Sequence, residues 1–297
     1  MMLESPVRGK RARRVWREPV RKRSSNVTFA GWLPYGEAVV VLGGREVKVQ
    51  VFVLRMCYSR KLYVQAFPTQ RLECFLQGHM DAFAYFGGVP QRISYDNVAT
   101  AVHVSHEGRE RQREETRSFV GLRSHYLFEA RFCTPFAPQE KGGVENGVGY
   151  MRERMFVPLP RVKSYEELNG LLRKRCDREN ERKVRGEKRS IGEMWEEERG
   201  QLRAVPEGGY ECAEIREARV MPYSQVIFET NRYSLPVKRG RERVTVKAYA
   251  FQVEMVEGVK VLARHERSYE REEDVLDPLH YVALIKQKPG SFEHALP

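Results

Sequence analysis

Three runs of β-branched residues, over 37–42, 47–57 and 61–67, are parted by Gly43-Gly44 and by Tyr58-Ser59-Arg60. Short turns between such runs predict an antiparallel meander. The period then changes: Leu72, Phe75, Leu76, Met80 and Phe83 recur every three or four residues, which predicts a helix capped by Thr69 and stopped by Gly87-Gly88 and Pro90. Residues 91–95 read as the next strand. A polar stretch at 103–115 leads into a helix over 118–125, a strand over 128–133 and a Pro/Gly-rich loop over 134–143. A helix from about Val144 turns Tyr150 and Met151 inward and leaves Arg152 and Arg154 to solvent or DNA.

Beyond Leu159-Pro160 the pattern predicts two helices, over 165–181 and 191–202. The basic link between them, 182–189, reads as a solvated helix face in preference to a DNA contact. From Tyr210 the chain turns to short alternating strands at 218–221, 225–228, 233–237, 243–248, 252–256 and 259–265. Their even spacing predicts a small β-barrel. Residues 1–26 are dominated by Arg and Lys and cannot bury enough surface to offset their ordering entropy, which predicts a basic arm. The expected divisions are an arm at 1–34, a core at 35–160, a helical linker at 161–209, a barrel at 210–268 and an irregular tail at 269–297.

Composition narrows the partners. A chain of 297 residues that is 41% hydrophobic is long enough for two globular cores, and its net charge of +12 favours a polyanion such as nucleic acid. The five cysteines are scattered, without a Cys-x-x-Cys pair, so neither a disulfide frame nor a zinc site is expected. No apolar run approaches the roughly 20 residues of a membrane helix, and a soluble, cytoplasmic protein is expected. There is no phosphate-binding Gly-x-x-x-x-Gly-Lys loop, so the chain is not expected to hydrolyse ATP.

Two acids carry the candidate chemistry. Asp96 ends the apolar strand Ile93-Ser94-Tyr95, at the sheet edge where α/β folds bind ligands. Glu145 follows Lys141-Gly142-Gly143 at the start of a helix. Carboxylates held on rigid elements suit metal-dependent work on phosphodiesters, in which two hard cations clamp the attacking and leaving oxygens. Each acid has a plainer reading: Asp96 as a turn residue and Glu145 as a first-turn helix acid. Lys141 suits a phosphate contact, with Gln139 and Asn97 as weaker positioning candidates. His79, His125 and His265 lack ligand spacing and are read as packing or surface residues, and Trp32 and Trp195 as core. Three strands, then helix, strand, helix, strand and helix, is the order of a ribonuclease-H-like fold.

The motifs Tyr35-Gly36-Glu37-Ala38, Tyr58-Ser59-Arg60, Ala82 through Pro90, Tyr95-Asp96-Asn97, Lys141 through Glu145, Asn231 through Pro236 and Asp277 through Tyr281 stand in order. Together they resemble the IstA-type insertion-sequence transposases, with an integrase-like catalytic core. The resemblance covers about residues 35–285. It implies an α/β, ribonuclease-H-like integrase core, a helical linker and a small C-terminal barrel like that of Mu transposase. It also implies cutting of element ends and joining of their 3′ hydroxyls to target DNA, with two Mg²⁺ or Mn²⁺ ions. The implied partners are DNA, a separate AAA+ ATPase helper and further copies of the chain.

Carried over by position, the second and third metal-binding acids of the family fall on Asp96 and Glu145, and the first falls on Pro34. Proline supplies no carboxylate and no ladder N–H, making it both a non-ligand and a poor central-strand residue. Glu37 is of opposite strand parity to position 34 and is expected on the other face; Asp81, on the helix, is a weaker substitute still. The expectation is a truncated or frame-damaged transposase with impaired catalysis. The competing expectation is a non-catalytic DNA-binding remnant that inhibits active relatives.

Overall fold

The computed structural model describes residues 29–95, 102–107, 110–132, 152–237 and 242–283, with backbone only at 29–35, 102–107 and 110–115. Asp96, Asn97, Gln139, Lys141 and Glu145, and the predicted start of the helix near Val144, lie outside the described residues.

Strands β1 (Phe29–Leu42), β2 (Arg45–Met56) and β3 (Leu62–Phe67) form the expected meander. Helix α1 (Leu72–Phe86), β4 (Arg92–Tyr95), α2 (Arg117–Tyr126) and β7 (Glu129–Phe132) follow. Between β4 and α2 the polar stretch forms a hairpin of its own, β5 (Val102–Glu107) with β6 (Glu110–Glu115). The main sheet runs β3-β2-β1-β4-β7; β2 is antiparallel to both neighbours, whereas β1, β4 and β7 are parallel. This mixed order is that of a ribonuclease-H-like integrase core. A short β8 (Arg161–Val162) joins β1 near its end.

Alternation along β2 explains why its sequence is so continuously apolar. Phe52, Leu54 and Met56 pack with α1 and α2, while Val49, Val51 and Val53 pack in a second core with Met155, Phe156 and helix α3 (Tyr165–Arg178). Both faces of the sheet are covered, as parallel segments require. Leu168, Leu172 and Cys176 of α3 are fully buried there, and the Asn169 amide bonds the backbone of Ala66 on edge strand β3 through both N–H (2.7 Å) and C=O (3.1 Å). The helix expected to begin a linker thus completes the core, and the division at residue 160 cuts through one packed unit.

Two other boundaries move. β1 begins at Phe29, inside the expected arm, because residues 30–33 pair with β2 and residues 29–32 with β4. Helix α1 starts at Leu72 with Arg71 as its N-cap and no side-chain cap; Thr69 instead accepts from the Arg71 N–H at 3.5 Å. Its other end is as expected, with Gly87 in the left-handed region at φ 65°.

Helix α4 (Ile191–Arg199) begins with a Ser190–Glu193 capping box and places Trp195 against Phe86 of α1. Its Glu198 carboxylate accepts from the N–H groups of Ser59 (2.9 Å) and Tyr58 (3.3 Å), closing the β2–β3 turn, while burial pushes that carboxyl's pKa upward. The Tyr-Ser-Arg motif is therefore a docking site for α4.

The C-terminal strands β9 (Glu214–Met221), β10 (Gln225–Phe228), β11 (Asn231–Ser234), β12 (Arg243–Ala248), β13 (Gln252–Glu257) and β14 (Lys260–Glu266) make the expected barrel-like sheet. Its order is β14-β13-β12-β9-β10-β11, extended by β15 (Asp274–Val275) from the segment expected to be irregular. Asn231, almost fully buried, donates to the carbonyls of Ser268 (3.2 Å) and Glu270 (2.9 Å) and accepts from the Glu273 N–H (2.9 Å), pinning the returning chain to β11.

Candidate active site and nucleic-acid interface

The candidate site is defined by where β1 and β4 run side by side. Trp32 of β1 pairs with Tyr95, the last residue of β4, and the next residue in sequence is Asp96. Pro34 stands two residues beyond that pair on β1. Here the β1–β2 register slips: Leu33 pairs with Val53 but Gly36 with Val51, so β1 carries one extra residue. A bulge is the place where a sheet tolerates the missing N–H of proline, which is how this residue occupies a central strand.

The same bulge removes the parity argument against Glu37. Across an inserted residue the alternation changes phase, so the count from 34 to 37 no longer separates the two positions onto opposite faces. Glu37 is exposed and lies 3.8 Å from Lys48 on β2. Asp81 is engaged elsewhere: its two carboxylate oxygens accept from the amides of Gln65 (2.7 Å) and Gln77 (2.9 Å), and burial raises its pKa against those bonds.

Tyr95 is held from behind. Fully buried His79 on α1 donates from Nδ1 to the Phe75 carbonyl (2.8 Å), which leaves Nε2 to accept from the Tyr95 hydroxyl (2.9 Å). The reading of His79 as a packing residue is thus given a specific content: it fixes the end of β4. Burial holds its pKa down at about 4, below the ordinary value near 6.5, so the folded state excludes a proton that the unfolded chain binds. Stability from this site is complete above about pH 6.5 and falls as pH drops toward 4, by about 3 kcal/mol in all. Denaturant titrations across that window should show the fall in the native chain and a flatter profile in His79→Gln. An equally steep profile in the variant would remove His79 as the cause.

Of the predicted DNA-facing residues, Arg152 and Arg154 are exposed on the helical residues 152–156, whose Met155 and Phe156 enter the second core. Arg154 is not solitary: its guanidinium bonds Glu179 at 3.3 Å, and Arg182 bonds the other oxygen of the same carboxylate at 2.9 Å. Arg175 of α3 donates to the carbonyls of Met155 (2.6 Å) and Pro158 (3.3 Å), fastening this segment to the core. The other histidines have ordinary partners, His125 on the Gly208 carbonyl (3.1 Å) and His265 on that of Ser234 (2.8 Å). Among the described residues no group of three or more His, Cys, Asp and Glu is placed to hold a metal ion, and no helix is long and apolar enough to cross a membrane.

With this geometry in place, sequence relatives are decisive. A transposase of Aminobacter aminovorans is 33% identical over 269 residues, spanning 89% of this chain and 52% of the relative. This chain belongs to the insertion-sequence transposase family. A second family member, the transposase for insertion sequences IS1326/IS1353 of Pseudomonas aeruginosa, is 30% identical across the same shares. The IS21 transposase of that organism is 30% identical over 203 residues, covering 68% of this chain and 51% of its own. Residues 205–277 match the Mu transposase C-terminal domain. The chain spans about half the length of the curated relatives it matches. Among solved structures, a chain of the simian T-cell lymphotropic virus intasome is similar at a TM-score of 0.44 with 11% identity, covering 86% of this chain and 82% of that one. The catalytic core domain of BIV integrase gives 0.37 with 11% identity, covering 57% and 93%. The fold assignment rests on the strand order itself.

As for the metal, the residues that the family resemblance assigns to it are two carboxylates and a proline. That donor set falls one acid short of the carboxylate cluster that holds two hard cations. No catalytic step is assigned through a metal in this chain.

Proposed function

We propose that this chain is the core-and-barrel part of a DNA transposase that retains DNA binding and is impaired in end cleavage and strand transfer. The observation supporting it is the pairing of β1 with β4, which sets Pro34 two residues beyond the Trp32–Tyr95 pair from which the chain continues into Asp96. Asp96 and Glu145 are the catalytic and Mg²⁺- or Mn²⁺-binding acids of the ancestral site, and Lys141, Arg152 and Arg154 contact DNA phosphates. Element ends and target DNA are the substrates. A AAA+ ATPase is the helper, and assembly on two DNA ends needs more than one copy. The proline at position 34 favours a second reading, a DNA-binding remnant that blocks active relatives.

Joining of a labelled, pre-cleaved element end to plasmid in Mn²⁺ tests the first reading, beside duplex binding in chelator. The expected result is strand transfer on the order of 10³-fold below that of an intact relative, with binding that survives chelation. Transfer at the relative's rate would refute the impairment. Total absence of transfer, with inhibition of the relative when the two are mixed, would favour the remnant.

A further inference from the structure

The segment expected to be a solvated helix face is neither helical nor loose. Residues 182–190 form a closed turn: Lys183 bridges Ser190, the Ile191 N–H bonds the Arg182 carbonyl (2.9 Å), and the Glu187 N–H bonds the Val184 carbonyl (2.9 Å). Gly186, at φ 90°, supplies the left-handed residue such a reversal needs. The base of the turn is tied on both sides. Arg182 is held by Glu179, and Arg189 pairs with Glu197 and donates to the Tyr58 hydroxyl (2.9 Å).

The tip is different. Lys183, Arg185 and Lys188 are exposed and make no side-chain hydrogen bond or salt bridge among the described residues. Glu193, the acid on which Lys183 registers, already accepts from the Ser190 N–H at 2.6 Å. Five cations in eight residues face one acid, Glu187. Most other described cations of the C-terminal sheet are satisfied internally, among them Arg216 by Glu214, Arg232 by Asp274, Lys247 by Glu211 and Arg264 by Glu254. The turn therefore gathers three cations that have no side-chain partner among the described residues. Through the shared carboxylate of Glu179 it is also continuous with Arg154.

We propose that the 182–190 turn is a preformed cradle for the phosphate backbone of duplex DNA, extending the surface that begins at Arg152 and Arg154. The inference rests on the DNA-acting reading above and adds the surface that grips. The turn carries no aromatic or amide side chain with which to stack on a base or read adenine, and its exposed cations suit phosphate; guanine contacts by Arg185 would show instead as a sequence-dependent loss. Tying Arg182 and Arg189 at the base keeps the three tip cations close together before binding, so little ordering entropy is lost on contact.

The test is the salt dependence of duplex binding by the full chain and by the triple variant Lys183→Ala, Arg185→Ala, Lys188→Ala, with thermal melting to show that both are folded. Three lost phosphate contacts should lower the slope of log K against log salt by about 2.7, so that between about 50 and 200 mM salt the native chain loses about 40-fold more affinity than the variant. The reduction should be the same on unrelated duplex sequences. An unchanged slope, with the native chain still binding, overturns the cradle and leaves the transposase reading intact. A loss confined to one duplex sequence, or larger for single strands, also overturns it. If the native chain binds no DNA at all, the cradle and the transposase reading fall together.

Discussion

Arg267→Ala will destabilise the protein by about 3–5 kcal/mol, the range for stripping one partner from a buried charge pair. The Arg267 side chain is fully buried and reaches from the C-terminal barrel to the core, where it bonds Glu73 of α1 at 2.8 Å. It also donates to the Tyr249 carbonyl (2.7 Å) and to Glu229 (3.1 Å), with its guanidinium 4.8 Å from the Tyr269 ring centre and 5.5 Å from that of Phe228. Glu73 is itself only 4% exposed, so truncating the arginine strands a carboxylate in a dry interface. The double variant Arg267→Met, Glu73→Met removes both charges while keeping volume, and should recover at least half of the loss. Urea unfolding of the three proteins measures both effects. A single-variant loss under about 1 kcal/mol would place this pair among ordinary surface bridges.

Pro34→Asp should raise strand transfer by on the order of 10³-fold, the scale of one major electrostatic stabiliser. The substitution is structurally cheap because position 34 sits within the register slip between Leu33 and Gly36, where β1 holds one residue more than β2. Asparagine there keeps the shape without the charge, so Pro34→Asn should remain as weak as the native chain. Rates are read on the pre-cleaved end in Mn²⁺. A folded, DNA-binding Pro34→Asp protein with no gain would show that the first acid is not the missing part. Equal gains from both substitutions would assign the effect to backbone relief.

Local pattern carried most of the architecture. The meander, α1, α2 and the barrel strands were legible because each repeats one period over several residues, and the Tyr58-Ser59-Arg60 and Asn231-Arg232-Tyr233 motifs were visible as words. Their role was not. Tyr58 and Ser59 give backbone N–H groups to Glu198, 139 residues distant from Ser59 in sequence, and Asn231 binds a chain segment about forty residues on. Gly88, part of another motif, has Leu202 so close that an added Cβ would lie 2.6 Å from the leucine Cβ. The words that reveal kinship are largely those that stitch distant segments together.

Asp96 and Glu145 rest on sequence and kinship alone; Arg152 and Arg154 are exposed, while Tyr150 and Met151, the residues expected to turn inward beside them, lie outside the described residues. The parity argument at Glu37 failed for a plain reason: a bulge leaves no mark in a pattern of alternating residues. At 182–190 the exposure agrees with a solvated face but the helix does not, because charge composition records which residues are ionised and not the turn that Gly186 closes.

The sequence by itself determined the order of the main-sheet strands, of helices α1 to α4 and of the barrel strands β9 to β14, the basic balance of the chain and the proline at position 34, since each is written in composition or short-range period. Only the tertiary structure decided that α3 completes the core, that Pro34 lies in a bulge, that Arg267 joins barrel to core, and that three cations on one turn have no partner among the described residues. Those outcomes depend on contacts between residues far apart in the chain. Burial and ion pairing arise only once the elements have packed.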